Sequence, residues 1–201
     1  MMCRTHIVIG IASGITAAAI AGPLTAEVWY SAVLGAAVGS ILPDIDTRAG
    51  RRKSEVFWSG IAVAALTAVI LVLDSMSGTG ICDAVLARAD DTLLQGGILL
   101  GLLLFGMKLS GHRSFSHSLA ALLMLLISLK MVCPVLVPFF AVGFVSHLLL
   151  DMLNRKPVKL FYPFGRGFAL RFCSADGKMN NVLLAVGCFW LLAATAYLTA
   201  I

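Results

Sequence analysis

Charged side chains are scarce in this 201-residue chain: they make up 12% of the residues, whereas hydrophobic residues make up 60%. A soluble domain of ordinary composition carries about 25% charged residues. Too few polar side chains remain to cover a globular domain in water, and the same hydrophobic excess excludes a disordered chain. We therefore expect an integral membrane protein that forms a single membrane-embedded domain over residues 1–201.

Cysteine pairs and several common catalytic motifs are also missing. The five cysteines are odd in number and well separated, and none belongs to a CxxC pair, which argues against a disulfide framework or a zinc ribbon. The chain has no P-loop, no dinucleotide-binding glycine fingerprint and no catalytic serine elbow. The net charge of +5 is not gathered on one helix or stripe, so we expect no nucleic-acid partner.

Long apolar runs are present instead, and they predict an all-α, polytopic transmembrane helical bundle of about six to seven spans. The predicted spans are 5–22, 28–42, 56–73, 93–107, 118–133, 135–150 and 182–200. The stretch 118–150 is too long for one helix, and Pro134 and Pro138 near its middle predict a helical hairpin that turns at 133–138. Close helix packing is predicted at three GxxxG pairs: Gly10 with Gly14, Gly35 with Gly39, and Gly97 with Gly101.

The distribution of Lys and Arg predicts the orientation in the membrane. With a cytoplasmic N-terminus, 13 of the 15 basic residues fall on the cytoplasmic side, in residue 4 and in the segments 43–55, 108–117 and 151–181. Positive charge of this kind marks cytoplasmic loops. Residues 3–22 also have the pattern of a secretory signal peptide, but the charge distribution favours a first span that is retained. We expect a multi-pass membrane protein with a cytoplasmic N-terminus.

All four histidines of the chain, together with three aspartates, fall at span ends on this predicted cytoplasmic side. The candidate metal ligands are His6, Asp44, Asp46, His112, His117, His147 and Asp151. We expect an extended segment after Pro43 to direct Asp44 and Asp46 to the same side, and His147 and Asp151 to share one face of a helix. Ser116 is the predicted N-cap of the fifth span. Each motif alone is also compatible with a helix cap or a solvated ion pair.

Mixed imidazole and carboxylate ligands suit Zn, Mn or Fe better than Ca or Mg. Six or seven such groups exceed one tetrahedral site, so we expect one or two divalent ions. The predicted function is a membrane-bound, metal-dependent hydrolase that acts at the cytoplasmic face on a phosphoester of a lipid-like substrate. Asp44 or Asp46 can serve as a base instead of a ligand, and Arg113 can bind a phosphate through a bidentate fork.

At these residues the sequence resembles the YdjM-like family of bacterial inner-membrane proteins, which are described as metal-dependent hydrolases, some under LexA (SOS) control. The resemblance rests on Thr5-His6, on Leu42-Pro43-Asp44-Ile45-Asp46, on His112-Arg113-Ser114-Phe115-Ser116-His117-Ser118, on Ser146-His147-Leu148-Leu149-Leu150-Asp151, and on Leu160-Phe161-Tyr162-Pro163-Phe164. The family pattern usually reads HRG-x-THS, whereas Ser114 and Ser116 occupy the glycine and threonine positions here. The resemblance implies a metal-dependent hydrolase with an SOS-linked role.

Other functions compete with a hydrolase. A proton- or cation-coupled transporter would use Asp and His as a relay, but the polar residues gather at one end of the spans instead of the midplane. A haem protein would place facing histidines within helices, and a non-enzymatic SOS-linked membrane protein would need no site. Between Lys159 and Phe172 aromatic residues alternate with basic ones, which is typical of the headgroup zone. We interpret this segment as an interfacial anchor; alternatively, it admits a lipid headgroup to the site.

Overall fold

The computed structural model describes residues 2–23, 25–47, 51–86, 91–111, 113–173 and 177–199. Within these ranges the chain forms eight α-helices and no β-strand, so the predicted all-α polytopic bundle is confirmed. The helices are α1 (Cys3–Ala21), α2 (Ala26–Ile41), α3 (Arg51–Ser77), α4 (Ile81–Leu86), α5 (Asp91–Leu109), α6 (Leu119–Val132), α7 (Val137–Met152) and α8 (Lys178–Thr199). The short helix α4 was not among the predicted elements.

In the part of the chain that the structure describes, six segments are long and apolar enough to cross a membrane: Cys3–Ala21, Ala26–Asp46, Ser54–Ser77, Asp91–Leu109, Pro134–Met152 and Lys178–Tyr197. The 14 residues of α6 form a shorter apolar helix. The predicted hairpin is confirmed, because α6 ends at Val132, a 3-10 turn covers Pro134–Leu136, and α7 follows at Val137. Proline disrupts helical hydrogen bonding, which explains why the long apolar stretch reverses here.

One end of the bundle collects the N-termini of α1, α6 and α8 and the C-termini of α2, α5 and α7, and we call it the polar end. Long-range hydrogen bonds join these elements there. The Met2 amide donates to Asn180 at 3.1 Å, and the Lys159 amide donates to the Arg113 carbonyl at 3.2 Å. The segment 153–173 crosses this end and carries exposed Phe161, Phe164 and Phe172.

Small residues bring α1, α2 and α7 into backbone contact. A Cβ added to Gly143 would overlap the Ala36 carbonyl oxygen, and one added to Gly39 would overlap the carbonyl oxygen of Phe140. A Cβ on Gly10 would lie 2.6 Å from the Cβ of Ser40, far inside ordinary contact. The close packing predicted at the first two GxxxG pairs is therefore confirmed, and α1, α2 and α7 pack against one another.

The prediction for Gly97 and Gly101 is wrong. An added Cβ at either position would meet nothing within 4 Å, so their face of α5 is open among the described residues. Gly96 makes the close contact instead, since its Cβ would lie 2.6 Å from the Cβ of Met131 on α6. The hydroxyl of Ser128 on α6 also donates to the Gly96 carbonyl at 2.9 Å.

Candidate metal centre

Asp44 and Asp46 lie on a 3-10 helix, Leu42–Asp46, that continues α2 at the polar end. The expectation of an extended segment after Pro43 is therefore wrong. Proline is tolerated in the first turn of a helix, where its missing N–H has no partner to lose. A helical turn does not place residues i and i+2 on one side, so the two carboxylates point to different neighbours.

His117 ends a short 3-10 turn, Phe115–His117, that precedes α6. The helix cap is Ser118, whose hydroxyl accepts from the Ala121 amide at 3.1 Å, so the prediction that Ser116 caps this helix is wrong. Ser116 is buried, and its hydroxyl instead donates to Asp46 Oδ2. Ser116 therefore supports the site through Asp46, and Ser118 caps the start of α6.

His147 and Asp151 both lie in the last part of α7 and are buried. Their spacing of four residues places them on one helix face, with His147 Nε2 4.0 Å from Asp151 Oδ2. Gly143 lies one turn earlier and permits the close contact with α2 that brings this face beside Asp44.

Four side chains converge at the polar end: Asp44, His117, His147 and Asp151, each offering a ligand atom within 4.8 Å of the others. The two imidazole Nε2 atoms are 3.3 Å apart. His117 Nε2 is 3.6 Å from Asp44 Oδ1 and 3.5 Å from Asp151 Oδ2. A tetrahedral ion with ligands at about 2.0–2.1 Å sets its ligand atoms about 3.3–3.4 Å apart. The cluster has dimensions that suit one such ion.

Hydrogen bonds on the far side of both imidazoles direct their Nε2 atoms into this cluster. His147 Nδ1 lies 2.7 Å from the Ser40 carbonyl oxygen, which can only accept, so Nδ1 carries the proton. His117 Nδ1 lies 2.8 Å from the Ser116 oxygen, which has given its own proton to Asp46. Both Nε2 atoms of the neutral rings then carry lone pairs that face each other, an arrangement that a cation between them stabilises.

The net charge of the buried side chains at this end also favours a bound cation. Three carboxylates, those of Asp44, Asp46 and Asp151, are negative, and the guanidinium of Arg113 is positive. Each of these four residues, taken as a whole, is at most 7% exposed. With neutral imidazoles, three negative charges and one positive charge leave a net charge of −2, which a divalent ion would neutralise. Uncompensated buried charge is costly. In the absence of an ion, the carboxylates of Asp151 and Asp44 raise the pKa of His117 to about 9, against the effect of burial.

The remaining predicted ligands lie at different places. His6 stacks on His147 with ring centroids 3.9 Å apart, and its Nε2 lies 3.4 Å from Asp151 Oδ1, whereas His117 contacts the other oxygen of that carboxylate. Asp46 lies behind His117, with Oδ2 3.7 Å from Nδ1, and accepts from the Arg113 amide at 3.2 Å. His112 lies outside the described residues.

Arg113 is buried beside the cluster in a left-handed backbone conformation with φ 62°. Its Nη2 lies 2.6 Å from Asp151 Oδ2, and its Nη1 donates to the Lys156 carbonyl at 2.5 Å. Its Nε has no hydrogen-bond partner among the described residues. A buried guanidinium with donor capacity to spare is suited to an anion that enters the site.

Two contacts at the site were not predicted from the sequence. The thiol of Cys3 donates to Asp44 Oδ2 at 3.5 Å, although 41 residues separate them. The Ser40 carbonyl orients His147 from another helix. A backbone carbonyl carries no signal in the sequence. Cys3 lies close to His6 in the sequence and at the predicted polar end, which is the only signal that pointed to it.

The comparisons with known proteins agree with the membrane architecture. A family model described as "YdjM inner membrane protein" matches residues 1–201. No curated protein and no solved structure matches the chain. The match spans the whole chain, so the chain belongs to the YdjM inner membrane protein family.

Proposed function

We propose that this multi-pass inner membrane protein is a metal-dependent hydrolase that cleaves a phosphoester of a lipid-like substrate at the polar end of the bundle. The observation that carries the proposal is the buried cluster of Asp44, His117, His147 and Asp151, in which the two imidazole Nε2 atoms lie 3.3 Å apart. A buried polar cluster of this kind, inside a membrane protein, is a functional candidate because such groups are costly to keep there.

The ligand set favours one ion of Zn, Mn or Fe, since it combines imidazole with carboxylate. When bound, a divalent ion supplies Lewis-acid stabilisation of phosphoryl oxygens and makes water a better nucleophile. Asp46 and Ser116 would hold His117 in the tautomer with Nε2 unprotonated, and the Ser40 carbonyl would do the same for His147.

Two further residues have roles in handling the substrate. Arg113 would bind a phosphoryl oxygen through the Nε that lacks a partner among the described residues. His6 is placed to hold or pass a proton, because its Nδ1 is buried without a hydrogen-bond partner in that same described part of the chain and its Nε2 lies 3.4 Å from Asp151. We also infer that the polar end faces the cytoplasm, since the segments that cross it carry most of the Lys and Arg.

Metal analysis of the purified protein tests the proposal. The full chain in detergent is expected to retain about one equivalent of transition metal, and Asp44→Asn and His147→Ala are each expected to lower it at least about tenfold. Asp74→Asn is the matched control, because Asp74 is also a buried aspartate but lies near the C-terminal end of α3, where it accepts from Thr79 and the Ile81 amide. Equal metal in all four proteins would contradict the proposal.

Hydrolysis is tested separately with a defined substrate. Phosphate release from phosphatidic acid in mixed micelles is expected from the metal-loaded wild type and from Asp74→Asn, and not from Asp44→Asn. A metal-loaded wild type that releases no phosphate from phosphatidic acid or from a water-soluble aryl phosphate would leave a metal-binding protein without the proposed activity.

A further inference from the structure

The first turns of α3 lie between two depressions that the metal site does not use. The larger is an apolar groove between α3 and the end of α2, which we call the α2–α3 groove. Its volume is about 460 Å³. Ile41, Leu42 and Ile45 line one wall, and Phe57, Gly60 and Ile61 line the other.

The α2–α3 groove borders the segment that carries a ligand. Leu42 and Ile45 belong to the same five-residue 3-10 helix as Asp44. The Asp44 side chain is 10% exposed, whereas those of His117 and His147 are 0% and that of Asp151 is 2%. Asp44 is therefore the ligand side chain most open to a molecule that arrives from outside, and it lies on the turn that forms the wall of the groove.

The second depression is polar and has a volume of about 360 Å³. It is lined by Arg4, Glu55 and Ser59, with Met2 and Trp58 at its margin. Two of its lining residues, Met2 and Arg4, are the sequence neighbours of Cys3, whose thiol donates to Asp44 Oδ2 at 3.5 Å. The apolar groove is thus lined by residues of the same 3-10 helix as Asp44, and the polar depression, which holds a cationic side chain, is lined by the sequence neighbours of its hydrogen-bond partner Cys3.

This arrangement matches an amphiphile. The groove faces the membrane: Phe57 is 62% exposed and Ile61 is 43% exposed, and both lie in the apolar span Ser54–Ser77. Hydrocarbon is the apolar material that a bilayer supplies at such a surface, and each methylene it buries favours binding. A phosphate at the other end of the same molecule is complementary to the guanidinium of Arg4 in the polar depression.

We infer that the α2–α3 groove binds one hydrocarbon chain of a phosphate-bearing membrane lipid and holds the phosphate of that lipid beside Asp44. The inference rests on the proposed function and adds to it the substrate class, a lipid recognised by its chain as well as by its phosphate. Gly60 lines the groove, and an added Cβ there would meet nothing within 4 Å, so a large side chain at this position has room to extend into the groove.

The experiment uses phosphatidic acid with a photoactivatable diazirine in one acyl chain and the purified full chain in micelles. Crosslinks are expected in residues 41–45 and 56–64. Gly60→Phe is expected to lower them about tenfold by filling the groove. Gly101→Phe on α5 is the matched control, because its position is equally open and lies outside the groove. Ala64→Phe fills the same groove from the next turn and serves if Gly60→Phe does not fold.

Two results would overturn the inference. If the crosslinker labels α3, α5 and α8 equally, and Gly60→Phe does not change this labelling, then the labelled lipid is ordinary boundary lipid. A KM for long-chain phosphatidic acid that Gly60→Phe leaves unaltered would show that the chain lies elsewhere. In support, Gly60→Phe is expected to raise that KM about tenfold while hydrolysis of a water-soluble aryl phosphate is unchanged.

Asp44→Asn separates this inference from the proposed function. It is expected to lose the metal and the hydrolysis of both substrates and to keep the crosslinks in the groove. Selective crosslinks in a wild-type protein that holds no metal would refute the hydrolase and leave the groove as a lipid-binding site. A metal-loaded protein that cleaves the aryl phosphate but shows no selective crosslink would refute the groove alone.

Discussion

The helices α1, α2 and α7 differ from α3, α5 and α8 in what they contact. The first group packs through glycine and alanine, and 61% of the apolar window of α2 is buried inside the protein. The second group presents large apolar side chains outward, and only 11% of the corresponding window of α3 is buried. Because α7 carries two of the four clustered residues and the 3-10 helix that continues α2 carries a third, the geometry of the candidate metal site depends on helices held by direct backbone contact.

The comparison also shows that glycine has two uses in one membrane protein. At Gly143 the absent side chain allows α7 to touch the backbone of α2, which positions His147 and Asp151 beside Asp44. At Gly97 and Gly101 it leaves an open face on α5. Substitutions at these positions should therefore have opposite outcomes, although the local sequences look alike.

The largest effect is expected from Gly143→Leu. Its side chain would overlap the Ala36 backbone and force α7 away from α2, at a cost of about 3 kcal/mol or more. The expected result is little folded protein, and no bound metal in what remains, measured by yield, thermal unfolding in detergent and metal content. Gly101→Leu should behave as wild type. If both variants unfold at the wild-type temperature, the close contact between α2 and α7 is not what holds the site.

Arg113→Gln probes the buried chemistry of the polar end and is expected to act on catalysis instead of assembly. Loss of the guanidinium should lower kcat/KM for phosphatidic acid about 100-fold, because it removes a preorganised donor to a phosphoryl oxygen. Metal content should stay near the wild-type level, since the four ligands remain. Lys108→Gln is the matched control: Lys108 is an exposed cation at the same end, and it donates to the Ile45 carbonyl at 3.1 Å. A loss of metal in Arg113→Gln would assign Arg113 to holding Asp151 and not to the substrate.

Much of this architecture could be predicted from the sequence, because hydropathy locates spans and scarce polar residues at span ends stand out. The hairpin at Pro134 and Pro138 is one example, and the meeting of Asp44, His147 and Asp151 at one end is another. Hydropathy does not tell a lipid-facing glycine from one that faces a helix, which is why the prediction for Gly97 and Gly101 failed.

Local backbone form was the other source of error. Whether Asp46 points with Asp44 or away from it depends on whether the segment Leu42–Asp46 is extended or helical, and Pro43 is compatible with both. The error over Ser116 is a separate one, because Ser118, two residues later, caps α6, and the Ser116 hydroxyl instead links Asp46 to His117. The sequence pattern identified these residues as candidates but did not distinguish the metal ligands from the residues that hydrogen-bond to them.

The smallest effects are expected from alanine substitutions of Ser116 and Ser118. Comparing the two variants tests whether metal affinity at the polar end and the stability of the apolar helix α6 can be changed independently. Ser116→Ala breaks the link from His117 Nδ1 to Asp46 and should weaken metal affinity about tenfold, because such partners hold a ligand in the correct tautomer and orientation. Ser118→Ala removes the N-cap of α6 and should cost about 1 kcal/mol of stability with no change in metal affinity. Metal titration and thermal unfolding of both variants separate these effects. Equal loss of affinity in the two would mean that the start of α6, and not the chain of hydrogen bonds through Ser116, sets the position of His117.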